Sequence, residues 1–210
     1  MKQMRDDDGS RLDLPEELYC GWPEVAVNDM AAEEREQNKM KSFYMYYSTM
    51  LKSTKEKAIA VAVSDDGFRW LKRGLCVAPD EGTLDAGGCA RCNVIRKAEY
   101  DEDTETWKNA KGWIMLYEGV SKEDGKHRIM AAESDNLRDW KKLGVALNVG
   151  EDGSWDSEGV GAPHVLRLDD GSSRMYYTGQ GKDGSTAIGV AKSYDDLEWS
   201  REQAQFSFAP

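Results

Sequence analysis

The sequence predicts an all-β protein built from three successive four-stranded units, and three observations carry that prediction. An aromatic strand recurs: Tyr44-Met45-Tyr46-Tyr47-Ser48, then Trp113-Ile114-Met115-Leu116-Tyr117-Glu118, then Arg174-Met175-Tyr176-Tyr177-Thr178. A strand of small residues follows each one, at Ala58 to Val63, Arg128 to Ala132 and Ala187 to Ala191. A serine then closes each unit's third segment, with a tryptophan six places on: Ser64 and Trp70, Ser134 and Trp140, Ser193 and Trp199. Two places after the serine stands Asp66, Asn136 or Asp195. Self-similarity in a fixed order, at a period of about 70 residues, is a stronger fold signal than any single segment.

Taken in order, residues 1–15 are polar and charged and are expected to be disordered. The units are expected over about 16–80, 81–150 and 151–210. Each opens on an acidic residue, a run of small residues and a short apolar strand. Aligning Val25, Val94 and Val165 brings Glu16, Asp85 and Asp156 together without a gap. Hydrophilic connections follow. Asn28 to Ser42 has room for a helical turn, Lys97 to Lys111 is similar, and the third shrinks to a hairpin at Asp170-Gly171. The aromatic strand is bulky on both faces, as suits a strand buried between two neighbouring sheets. The Ser-x-Asp segment reads as a turn in which the acidic side chain caps backbone amides. The tryptophan leads to a fourth strand near Leu75 to Ala78, Val145 to Asn148 and Gln205 to Phe208. Short four-stranded units whose two faces both need cover are the blades of a β-propeller. A closed ring takes at least about four blades. Three therefore form part of a larger ring, or self-associate through their open faces.

Composition narrows the function classes. A net charge of −11 disfavours nucleic acid and anionic membrane surfaces, because both need a basic face. No apolar run approaches the roughly 20 residues of a membrane span. The opening Met1-Lys2-Gln3-Met4-Arg5-Asp6 has no signal-peptide core, so the cytoplasm is the expected location, or a plastid if a leader precedes Met1. Of the four cysteines, Cys89 and Cys92 have metal spacing, but no second pair follows them. Packed, reduced thiols, no metal and no cofactor are expected.

The aromatic strand, the Ile-x-Val-Ala-x-Ser segment and the Asp-Gly-x-x-Trp turn together resemble the five-bladed propellers of the arabinanase, levansucrase and invertase superfamily, including glycoside hydrolase family 43. The stretches Leu84 to Cys92 and Trp155 to Pro163 are similar to those of plant and algal members. The match covers roughly residues 18 to 200. The Asp-box of sialidase propellers is the competing likeness, but one residue fewer separates Asp66 from Gly67 here.

This resemblance implies a carbohydrate or glycan partner and carboxylates on the innermost strands. Hydrolysis needs one carboxyl to protonate the leaving oxygen and another to serve as base or nucleophile. The implied catalytic set is Glu158 as acid, with Asp156 or Glu24 as base or nucleophile. Asp85, Arg91, His164, Trp22 and Trp155 are the implied substrate-binding residues. The chain departs from the family pattern in two ways. Gly159 to Ala162 separate Glu158 from Pro163, where family enzymes put the acid directly before Gly-Pro or Ala-Pro. The second unit has Arg91 and Cys92 where an acidic residue would be expected. A catalytically inactive propeller that binds a carbohydrate or protein is the alternative. His127, just ahead of a strand, reads as an ordinary surface residue.

Overall fold

The structure, a computed structural model, describes residues 16–206. It holds three antiparallel four-stranded meanders. The first comprises β1 (Glu17–Val27), β2 (Phe43–Leu51), β3 (Lys57–Ser64) and β4 (Leu71–Val77). The second comprises β5 (Gly88–Asp101), β6 (Thr106–Val120), β7 (His127–Ser134) and β8 (Lys141–Leu147). The third comprises β9 (Gly159–Arg167), β10 (Ser173–Gln180), β11 (Thr186–Ser193) and β12 (Ser200–Phe206). A short helix, α1 (Ala32–Gln37), occupies the long first connection. The fold is thus all-β, a portion of a propeller with β1, β5 and β9 as innermost strands. Each fourth strand begins just after its tryptophan, some residues earlier than the apolar cores at Leu75 and Val145 indicate. The expectation of disorder over residues 1–15 and the end of the Gln205 to Phe208 strand lie outside the described residues. None of the described helices is long and apolar enough to cross a membrane.

Strand alternation assigns the aromatic residues to two seams. Tyr44 and Tyr46 face forward from the first blade with Ile59, Val61 and Val63, and meet Met115, Tyr117 and Met130 of the second. Ile114 and Leu116 face forward from the second blade and meet Met175, Tyr177 and Ala191 of the third. Full burial of such side chains stabilises by about 1.5–3 kcal/mol each. The Tyr46 hydroxyl, sealed in the first seam, donates to the Leu137 carbonyl at 2.7 Å.

The Ser-x-Asp turns are built alike. The Ser64, Ser134 and Ser193 hydroxyls accept from the backbone N–H two residues on, at 3.2 Å in every case. Asp66, Asn136 and Asp195 each accept from two further backbone N–H groups at 2.8–2.9 Å. The residue between, Gly67, Leu137 or Asp196, has φ of 73°, 62° and 62°. These are the side-chain-capped turns that the repeated Ser-x-[Asp/Asn] calls for.

A second repeated device ties each blade's entry to its outer strand. Asp85 accepts from the Tyr117 hydroxyl at 2.8 Å and pairs with Lys142 at 2.7 Å. Asp156 accepts from the Tyr177 hydroxyl at 3.0 Å and pairs with Arg201 at 2.7 Å. In the first blade Glu17, not the aligned Glu16, accepts from Tyr47 at 2.8 Å and pairs with Lys72. The reason is steric. The two aspartates pack over Gly119 and Gly179, where an added Cβ would come within 2.8 and 2.5 Å of them. Thr49 fills that place in the first blade, so the longer Glu17 reaches in from the next position.

Candidate functional site

Each innermost strand carries a bulge at the same repeat position. Trp22, Arg91 and Ala162 have φ of 50°, 43° and 51°, and ladder register shifts there in all three strands. Pro23 and Pro163 follow two of these residues. Proline has no N–H to give a ladder, and bulges are where a sheet tolerates it. The bulges line one cavity of about 210 Å³, bounded by Trp22, Pro23, Arg91, Cys92, Ala162 and Pro163. Arg91 lies over the Trp22 ring, its guanidinium carbon 4.7 Å from the centroid.

Glu118 sits behind this lining. Its Oε2 accepts from the Ala162 N–H at 3.2 Å and from Arg91 at 3.3 Å, and its Oε1 contacts His127 Nδ1 at 2.8 Å. The carboxylate is 5% exposed. Burial pushes its pKa up, but His127, Arg91 and the Ala162 N–H outweigh burial and hold it below the ordinary carboxylate value. It is therefore an ionised, immobilised acceptor. A Cβ on Gly161 would fall 2.2 Å from its Oε2, so Glu118 fills the space that a side chain at 161 would take. His127 is 40% exposed on its side chain. The preceding Lys126 reaches the Ser157 carbonyl at 2.8 Å and Glu158 at 3.5 Å.

The expected catalytic residues do not converge. Asp156 is 1% exposed and bonded to Tyr177, Arg201 and Ser154, within the tie between blade entry and outer strand and away from the lining of the axial cavity. Its expected role as base or nucleophile is thereby corrected to a structural one. The same correction applies to Asp85, at 0% exposure, as a substrate-binding residue. Trp155 stacks on Tyr177 at 5.8 Å and packs over Gly179 and Gly189, inside the third blade and off the cavity. Glu24 accepts from the Asn93 amide at 2.7 Å and from the Val94 N–H at 3.4 Å, in the seam between the first two blades. His164, at the position of Glu24 and Asn93, is exposed on the forward face of the third blade. Glu158 is part-exposed beside Lys126. Trp22 and Arg91 alone of the expected binding residues line the axial cavity.

Sequence reasoning passed over the Glu118–His127 pair. The signal was present in the repeat, because Ser48 and Thr178 stand where the second blade has Glu118. Among the described residues, no group of three His, Cys, Asp or Glu is placed to hold a metal ion.

No protein-family profile matches the chain, and no curated protein matches it in sequence. Solved structures do match. A family 117 glycoside hydrolase from the marine bacterium Zobellia galactanivorans superposes with a TM-score of 0.66 at 15% identity, over 97% of this chain and 59% of that one. A putative glycoside hydrolase from Parabacteroides distasonis gives 0.60 at 16%, over 95% and 59%. Fructan 1-exohydrolase IIa from Cichorium intybus gives 0.60 at 17%, over 79% and 30%. The chain thus spans about three-fifths of the first two proteins and under a third of the last. At these identities the likeness is one of fold alone, and it agrees with a portion of a β-propeller.

Proposed function

We propose that the protein hydrolyses a glycosidic bond at the axial cavity, in a furanoside or related glycan. The observation that carries this reading is the ionised Glu118 carboxylate in the side-chain space of Gly161. The family resemblance implies an acidic group just before Ala162-Pro163. Here the neighbouring blade supplies a carboxylate to that space from β6. Trp22 offers an apolar ring face to a sugar, and Arg91 offers charged donors to its hydroxyls.

In hydrolysis, water adds to the anomeric carbon and gives up a proton as the bond to the leaving oxygen breaks. That oxygen takes a proton from an acid. Glu118, ionised, suits the base, with His127 relaying its proton to solvent. Glu158, at the far side of the Lys126–His127 pair, is the proton donor in this reading. The glycoside hydrolases of similar fold support the reaction class.

The test is product release from aryl furanosides, sucrose and arabinan by wild type, Glu118→Gln and Glu158→Gln, with a thermal melt of each. The expected outcome is wild-type turnover that falls about 10²-fold or more in each variant while melting stays cooperative. A well-folded wild type that binds sugar without turning it over would replace this reading with the binding module.

A further inference from the structure

The first two blades carry long connections, and together these enclose a second cavity. The segment of residues 28–42, with α1 in it, meets the extended β5–β6 hairpin and the turn after β7 around a space of about 490 Å³. That volume falls within the range of small-molecule sites. Arg96 stands in the wall, five residues beyond Arg91 on β5, or roughly 16 Å along the strand. No residue that lines this cavity lines the axial one.

Arg96 is held in place with its donors unused. Its guanidinium carbon lies 4.1 Å from the centroid of the Trp113 ring, which is itself 2% exposed. Its ion pair with Asp29 spans 3.8 Å, too long for a hydrogen bond. Nε and Nη1 are covered and bonded to nothing among the described residues. Nη2 has no such partner either, and it is the guanidinium nitrogen left open. Arg167, at the same repeat position of the third blade, instead donates from Nη2 to Asp196 at 2.6 Å. A fixed guanidinium with unused donors at a cavity wall suits a ligand that brings oxygen acceptors.

The rest of the lining selects the class of ligand. Arg96 and Lys111 face Glu34 and Asp135, two cations against two carboxylates, so the wall has no net charge to draw an ion. Lys111 and Asp135 stand 3.7 Å apart, with side chains 84% and 68% exposed. Gly112 makes room for that carboxylate, since a Cβ there would fall 3.0 Å from Asp135 Oδ1. Met30 and Met40, both half-buried against the first seam, give the cavity an apolar side. A hydroxyl can accept from an arginine and donate to a carboxylate at once. An anion would accept from Arg96 but be repelled by Glu34, Asp135 and Asp29. A neutral ligand with several hydroxyls and an apolar C–H face fits both sides.

We propose that this cavity binds a neutral sugar ring, as a glycan-binding site separate from the axial one. Hydroxyl oxygens accept from Arg96 and Lys111, hydroxyl protons go to Asp135 and Glu34, and the C–H face rests on the two methionines. The site does not depend on the reaction proposed above.

Titration of the ¹⁵N-labelled chain with sucrose, arabinobiose and cellobiose, followed by two-dimensional NMR, tests it. The expected result is saturable shifts with at least one sugar in the amides of Asn109 to Trp113, Asp135 and Asn136, and in the Arg96 side chain. Arg96→Met and Ala110→Trp, the second filling the cavity, should each weaken binding by about tenfold or more. Arg96→Met should melt close to wild type, because its guanidinium makes no hydrogen bond to the described residues. Trp22→Ala, in the axial cavity, should leave these shifts in place. Shifts confined to Trp22, Arg91 and Ala162 overturn this site and leave the axial reading standing. No shift with any of the three sugars overturns it as well, as does binding indifferent to both cavity variants. Acetate that produces the same shifts and displaces the sugar would make this an anion site and overturn the neutral ligand.

Discussion

A buried carboxylate can hold a blade together or do chemistry, and its partners decide which. Asp85 is fully buried, yet Lys142, Thr83 and Tyr117 together outweigh the effect of burial and hold its pKa below the ordinary 3.8. A depressed folded-state pKa contributes stability above the unfolded value and loses it as pH falls through the folded one. Wild type should therefore lose stability below about pH 4. Asp85→Asn, which leaves Lys142 partly buried without its carboxylate, should cost about 1–3 kcal/mol at neutral pH and flatten that acid limb. Denaturant melts from pH 3 to 7 check both, and an unchanged acid limb would show that Asp85 is not the titrating group. Glu118 has a similarly lowered pKa but a different outlook, because its neighbours line a cavity. Its substitution should alter turnover before it alters melting.

At the scale of elements, the bulges at Trp22, Arg91 and Ala162 are the working parts, because they turn three innermost strands toward one cavity. Ala162 holds φ of 51°, which costs a non-glycine residue about 1–2 kcal/mol. Ala162→Gly should relieve that strain against about 0.4–1 kcal/mol of added unfolded-state entropy, for a net gain between about 0 and about 1.6 kcal/mol. A thermal melt reads this directly, and a lowered melting temperature would mean that the methyl packs in the cavity wall. Much of this level was legible in the sequence. The aromatic strand needs cover on both faces, and Ser-x-Asp with its tryptophan fixes a turn by local hydrogen bonds. The bulges could be suspected only from Pro23 and Pro163, since Cys92 gives no such sign in the second blade. The site was less legible because its parts come from different blades. Glu118 reaches Ala162 across 44 positions, and no local spacing records that contact. The register of the acidic openings misled by one residue in the first blade, where Thr49 replaces a glycine.

At the scale of the molecule, stability should be uneven, because blades are stabilised mainly by the neighbours that cover them. The second blade is covered on both faces, by Tyr44 and Tyr46 in front of Met115 and by Met175 and Tyr177 against Leu116. Among the described residues, the first and third blades each leave one apolar face uncovered. In the dilute chain, amide exchange should be slowest over the central strands β6 and β7, which open only with the whole fold. It should be faster over β2 and β10, which open with their own blade. Hydrogen–deuterium exchange of the dilute chain reads this pattern, and protection spread evenly over the three blades would mean that the outer blades carry no such deficit.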